Sequence, residues 1–157
     1  IMTRPVLRSP DIAALLLLAV ALLALAPRVR SAPPAGASTL PAAEWKAIRK
    51  VIGEQRAALV AGDAARAFTH AAPGIRAQFG SPENFLAMVQ TAYVPLVTAR
   101  YTEFLEGAVI DGNVIQPLRL VAPDNTVQVA LYTMEKQKDG RWKISGCVLA
   151  PSTVQAA

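Results

Sequence analysis

Side chains able to do chemistry are few in this chain, and their spacing excludes more than it offers. There is one histidine, His70, and one cysteine, Cys147. A metal centre needs three or four His, Cys, Asp or Glu ligands at close quarters, and these two do not supply them. Nucleophilic catalysis by a serine or by Cys147 would need His70 as its base, in contact with the nucleophile. The pattern around His70 puts it on the outer face of a short helix, solvated or bonded locally. No glycine-rich phosphate loop occurs, because Gly140, Gly146 and the other glycines follow turn or strand logic. No catalytic residue, metal ligand or cofactor is therefore expected. What remains is a set of side chains suited to edging a pocket: Gln55, Arg76, Tyr93 and Tyr101. Gln55 is polar on the buried side of a helix, placed either to line a pocket or to bond the backbone. Arg76, beside a glycine-containing turn, can pair with a ligand carboxylate or form an ion pair with Glu83 or Asp63. Cys147 reads as a small buried apolar side chain on a strand, with a reactive thiol or a bridge between two chains as the other readings.

Three helices are expected to position these residues. Trp45, Ile48, Ile52, Gln55 and Leu59 recur at spacings of three and four, widened by Val51 and Ala58, with Lys46, Lys50 and Glu54 opposite. Gly62 stops this first helix and Asp63 caps a second over residues 63–72, whose apolar face is Ala64, Ala67, Phe68 and Ala71. Pro73-Gly74 ends it, and residues 75–80 form an irregular turn or a single helical turn with Ile75 and Phe79 inward. Ser81-Pro82-Glu83 opens a third helix: Ser81 as N-cap, Pro82 where its missing N–H costs nothing, Glu83 at the positive end of the macrodipole. Phe85, Met88, Val89 and Ala92 line its apolar face, and Pro95 makes continuation unfavourable.

After Val97 the vocabulary turns to β. Residues 98–110, 114–121, 126–135 and 141–149 are separated by Asp111-Gly112, Pro123-Asp124-Asn125 and Asp139-Gly140. Three turn signals between four runs imply an antiparallel meander. In the third run Val127, Val129 and Leu131 share a face; in the fourth, Trp142, Ile144 and Val148 do. Pro117 belongs on an edge or at a bulge. Helices first and strands last give an α+β domain, with three N-terminal helices packed on one face of a curved four-stranded antiparallel sheet, a cone with an apolar interior.

Arg4 and Arg8 precede an uncharged run of Leu, Ala and Val over residues 12–26, followed by Pro-, Ala- and Ser-rich sequence. A basic start, an apolar middle and a small-residue exit predict a secretory signal. Spanning a bilayer takes about 20 apolar residues, more than this run holds, so removal is expected, with retention as a membrane anchor the other outcome. Residues 1–37 are thus assigned to signal and linker, 38–151 to the domain and 152–157 to a tail. Of 16 Lys and Arg, Arg4, Arg8, Arg28 and Arg30 lie before Ser38, as does Asp11 among 11 acids, so the domain keeps a net charge of only +2. That removes the main support for nucleic-acid binding.

The runs Gly62-Asp63-Ala64-Ala65-Arg66-Ala67-Phe68, Ala72-Pro73-Gly74-Ile75-Arg76, Phe79-Gly80, Tyr93-Val94-Pro95 and Asp139-Gly140-Arg141-Trp142-Lys143-Ile144-Ser145-Gly146-Cys147 resemble a family of exported bacterial proteins known as a domain of unknown function. The element order also resembles the nuclear transport factor 2-like superfamily, the cone fold shared with ketosteroid isomerase. The resemblance implies that fold, a bacterial setting in the periplasm, secreted or anchored at the inner membrane, and no activity. It departs from the family pattern at His70, where an apolar residue is usual. Three roles follow as expectations. The first is a non-catalytic binding module holding a small apolar molecule or a peptide. The alternative is a ketosteroid-isomerase-like isomerase or lyase, with Glu103 or Asp111 as base and Tyr93, Tyr101 or Tyr132 as neutral donor. The third is a homodimer through the sheet face.

Overall fold

A computed structural model describes residues 37–152. The expected leader, nearly all of the linker and the tail after Ser152 fall outside the described residues. The order is β1 (Ala37–Ser38), α1 (Ala42–Val60), α2 (Ala64–Thr69), α3 (Pro73–Phe79), α4 (Pro82–Ala92), α5 (Val94–Thr98), β2 (Tyr101–Phe104), β3 (Ala108–Ile110), β4 (Asn113–Val121), β5 (Val127–Lys136) and β6 (Trp142–Pro151). The domain is α+β, with the helices preceding an open antiparallel sheet. Across that sheet the order is β1-β3-β4-β5-β6, and β2 also pairs with β4.

The helical periodicity reads true for α1, whose buried residues are Trp45, Ile48, Ile52, Gln55, Ala58 and Leu59. Asp63 caps α2 by accepting from the Arg66 N–H at 3.0 Å, and Ser81 caps α4 by accepting from Asn84 N–H at 3.2 Å. The expected count of three helices is too low. The prolines that read as stops, Pro73 and Pro95, instead lie in the first turns of α3 and α5, where a missing N–H is tolerated. Helix α2 is correspondingly shorter than expected, because residues 70–72 leave the helix and pair with the sheet. Ile144 N–H donates to the His70 carbonyl at 2.9 Å, and Ala72 N–H donates to the Ile144 carbonyl at 2.8 Å. This single parallel bridge docks the helical layer on the margin of β6.

The four-strand expectation also needs correction, at two places. Ala37, assigned to the linker, and Ser38, the first residue assigned to the domain, form a short strand that pairs with Ile110 and Val109. The run expected over 98–110 is not one strand but α5's end followed by two short strands lying end to end along β4. At the interruption over residues 105–107 the backbone comes so close to the Trp45 ring that only glycine fits: a Cβ on Gly107 would lie 2.3 Å from it. The interruption explains Pro117. Leu105 N–H donates to the Pro117 carbonyl at 3.1 Å, so the backbone of Pro117 faces Leu105, yet it has no N–H to return. The fully buried Gln116 side chain supplies the donor instead, its Nε2 giving hydrogen bonds to the Leu105 carbonyl at 2.8 Å and the Pro117 carbonyl at 2.9 Å. Its Oε1 accepts from Arg49 Nε at 3.2 Å.

The turn signals hold. Asp111 (φ 49°) and Gly112 (φ 79°) form a two-residue hairpin between Ile110 and Asn113, and Gly140 (φ 84°) turns β5 into β6. The face assigned to the last strand does not hold throughout. Thr133 pairs with Gly146 and Met134 with Ile144, so Ser145 is an extra residue, a β-bulge. It reverses the alternation: Trp142 and Ile144 face inward before it, Cys147 and Leu149 after it, and Val148 points outward, 62% exposed.

Two apolar clusters result. One joins Trp45, Ile48 and Ile52 of α1 and Leu96 to Leu118, Leu120, Ala130, Tyr132, Met134, Trp142 and Ile144 of the sheet. The other, among helices, holds Ala58, Leu59, Ala67, Phe68, Phe85 and Val89. At the opposite end of α1 the Glu44 carboxylate accepts from Trp142 Nε1 and pairs with Lys136 at 2.8 Å, fastening the helix to the last hairpin.

His70 is not on an outer, solvated face. Its side chain is only 16% exposed and its Nε2 lies 3.8 Å from Glu54 of α1. Burial holds its pKa below the ordinary histidine value, Lys143 and Arg66 push the same way, and Glu54 opposes them. A lowered folded-state pKa means that the unfolded chain takes up the proton first as pH falls, so stability drops below about pH 6.5.

Two outcomes follow from this architecture. Gln116→Met preserves volume but orphans the Leu105 carbonyl and Arg49 Nε, and should lower the unfolding free energy by about 1–3 kcal/mol in urea titration; an unchanged midpoint would rule out the stand-in donor. Thermal melts between about pH 7.5 and 5.5 should show a falling Tm that flattens in His70→Gln, and parallel profiles for the two proteins would show that His70 is not the titrating group.

Candidate functional site

A cavity of about 220 Å³ opens where the two apolar clusters fail to meet. Its helical wall comes from Gln55 and Leu59 of α1, Ile75, Gln78 and Phe79 of α3, and Phe85, Met88 and Val89 of α4. Tyr93 and Leu96 close one end, and the floor is Tyr132 with residues 144–147. Each part has a local cause. The bulge at Ser145 shifts the register of β6 just beyond the Ile144 bridge, and residues 144–147 there form the cavity floor. Short α3 lays Ile75 and Phe79 over it, as the sequence pattern predicts for those two residues. Phe85 anchors the wall by packing its ring 5.7 Å from Phe68 and 5.8 Å from Phe79.

The polar groups in this cavity are neutral. Gln55, buried, donates from Nε2 to the Ala67 carbonyl at 3.2 Å, so it both lines the space and ties α1 to α2. Tyr93, at the corner between α4 and α5, donates its hydroxyl to the Cys147 carbonyl at 2.7 Å and so caps the margin of β6. Burial, then the neighbouring Cys147, raises the Tyr93 pKa. Burial also pushes the Cys147 thiol up to about 12, which keeps it protonated at neutral pH and far from the thiolate that nucleophilic chemistry needs. Ser145 Oγ donates to the Thr133 carbonyl at 3.1 Å across the bulge. Tyr132 sits directly opposite Cys147 on the adjacent strand, 1% exposed. Its hydroxyl has no hydrogen-bond partner among the described residues.

Of the four residues expected to edge a pocket, Gln55 and Tyr93 come together at this cavity. Arg76 does not: it stands on the exposed side of α3 with its guanidinium 5.5 Å from the centre of the Phe68 ring, a cation–π contact in place of the expected ion pair. Tyr101 is 51% exposed at the start of β2 and is also outside the cavity. The two carboxylates considered as a base are elsewhere as well. Glu103 pairs with Arg119 at 2.8 Å on the outer sheet face, and Asp111 occupies its hairpin turn. None of the residues lining the cavity is Asp, Glu, Lys, Arg or His. Tyr132 had been readable only as one of three tyrosine donors. The period-2 pattern Ala130, Tyr132, Met134 marks its face, but the neighbouring run Val127, Val129, Leu131 gives an equally apolar alternative.

Among the described residues no helix is long and apolar enough to cross a membrane, and no group of three or more His, Cys, Asp or Glu is placed to hold a metal ion. No curated protein and no solved structure matches the chain. One family profile does, over residues 41–157, which takes in every helix from α1 onward, strands β2 to β6 and all the residues that line the cavity. The chain therefore belongs to the family described as a domain of unknown function (DUF4864).

Proposed function

We propose that this domain is a non-catalytic binding module that acts outside the cytoplasm and holds a small apolar molecule between its helices and its sheet. The observation that carries this reading is the cavity itself, walled by Leu59, Ile75, Phe79, Phe85, Met88 and Val89 and placed between two otherwise closed cores. Apolar side chains that could have closed on one another instead surround space, and an occupant would recover their lost contacts. At about 220 Å³ the space is below the usual range for drug-sized ligands, which favours a single ring or a short chain. The arrangement of helices over a twisted antiparallel sheet is in keeping with a nuclear transport factor 2-like cone. The extracytoplasmic setting rests on the basic, apolar and small-residue succession in residues 1–37.

Benzene, toluene, indole and naphthalene, added in turn to the full chain, should raise Tm for the compounds that fit and leave it unchanged for those that exceed the space. A ligand at 100 times its Kd stabilises by about 2.7 kcal/mol, which is readily seen. Ile75→Trp, which fills the cavity, should abolish the shifts while far-UV circular dichroism remains native; a flat response to all four compounds would end the binding reading. For the setting, intact mass after expression in a bacterial host should show loss of the leader near Ala26, Ser31 or Ala37, or an intact chain in the membrane fraction. Full-length protein in the cytoplasmic fraction would refute export.

A further inference from the structure

The cavity also carries information about the charge and shape of what it holds. Three observations bear on this, and they rest on the binding reading above. First, none of its lining residues is ionisable at neutral pH: the tyrosines and the thiol stay protonated, and no acid, base or guanidinium reaches the wall. A carboxylate or an ammonium brought here would lose its hydration with no lining group of opposite sign to replace it. Second, Arg76, the cation that sequence spacing offered for an acidic ligand, is turned away onto Phe68. Arg56, on the neighbouring face of α1, is not a lining residue: its Nη2 donates to the Ala99 carbonyl at 3.2 Å, its Nε is buried without a partner among the described residues, and its charge is felt at the Tyr132 phenol from behind the wall. Third, three of the polar side chains in the wall have protein partners: Gln55 is bonded to Ala67, Tyr93 to Cys147 and Ser145 to Thr133. Gln78 is exposed and can turn to water, and the Cys147 thiol is only a weak donor. The Tyr132 hydroxyl is the fully buried strong donor of the wall, without a partner among the described residues.

A buried hydroxyl normally finds an acceptor, and leaving it without one is costly. Tyr132 belongs to an otherwise apolar cluster, in which its hydroxyl is the polar atom to be accounted for. We infer that the cavity takes an uncharged molecule with an apolar body and one oxygen acceptor, a carbonyl or a hydroxyl, that receives the hydrogen bond of Tyr132. The body lies against Phe79, Phe85, Met88 and Val89, and the oxygen points down to the sheet. With no carboxylate in the wall, this arrangement retains the ligand without moving a proton from it.

The test uses three single-ring probes on the full chain: ethylbenzene, which has no acceptor, acetophenone, which has a neutral one, and benzoate, which is charged. Acetophenone should bind about tenfold more tightly than ethylbenzene by calorimetry, and benzoate should not bind at neutral pH. In Tyr132→Phe the preference for acetophenone should vanish while ethylbenzene binding persists. The variant should melt at the same temperature as the parent or higher, since it removes an unpaired buried group. A second measurement does not depend on affinities: the ¹³C resonance of carbonyl-labelled acetophenone should move downfield on binding to the parent and not on binding to Tyr132→Phe. Equal binding of ethylbenzene and acetophenone would overturn the acceptor and leave the binding module standing. Tight binding of benzoate would overturn neutrality. Silence from all three, joined to silence in the size series, would overturn both readings together.

Discussion

Two backbone hydrogen bonds at Ile144 hold the arrangement of this domain in place. The peptide groups of His70 and Ala72 take up the N–H and carbonyl of Ile144 on the outer side of β6, and so fix the helical layer against one margin of the sheet. Each is a buried pairing whose loss would strand polar groups rather than merely weaken a contact. One residue later the bulge at Ser145 breaks the alternation of the strand, so that docking and register shift occur side by side at the residues that floor the cavity.

Helix α1 then decides what that volume is lined with. Its 19 residues are long enough to serve two cores, with Trp45, Ile48 and Ile52 against the sheet and Ala58 and Leu59 against α2 and α4. Gln55 falls where the stripe passes from one to the other, and its bond to Ala67 satisfies a helix-end carbonyl at the junction. The Ala67 carbonyl also accepts from the His70 N–H at 3.3 Å, so Gln55 adds a second bond there that links two helices, where a charged residue would be desolvated.

Much of this was legible in advance, for identifiable reasons. The α1 stripe, the Asp63 and Ser81 caps and the three turns depend on local chemistry, and short-range patterns report local chemistry well. The features that escaped depend on distant partners. Gly146, a lone glycine inside a β-rich run, is the one local sign of the bulge at Ser145, and without it Cys147 and Val148 are placed on the wrong faces by simple alternation. Pro73 and Pro95 look like stops until a new helix is seen to start on them. The close approach of the backbone at Gly107 is to the ring of Trp45, more than 60 positions earlier. Arg76 and Tyr101 failed as cavity residues because a helix of seven residues and a strand of four present most of their surface to solvent. Gln55 and Tyr93 reached it because each joins elements that the chain must bring together.

The interrupted strand has a consequence for how the sheet meets other chains. An unbroken rim of free peptide groups is a template on which a foreign strand can grow. Here one rim is divided into β2, of four residues, and β1, of two, which covers β3, with an indole seated at the break and a glutamine side chain taking over a ladder bond. The opposite rim is occupied at Ile144, capped by a phenol at Cys147 and closed to donation at Pro151. Neither side offers a long run for strand addition, a protection against fibrous self-assembly that comes from the interruptions themselves.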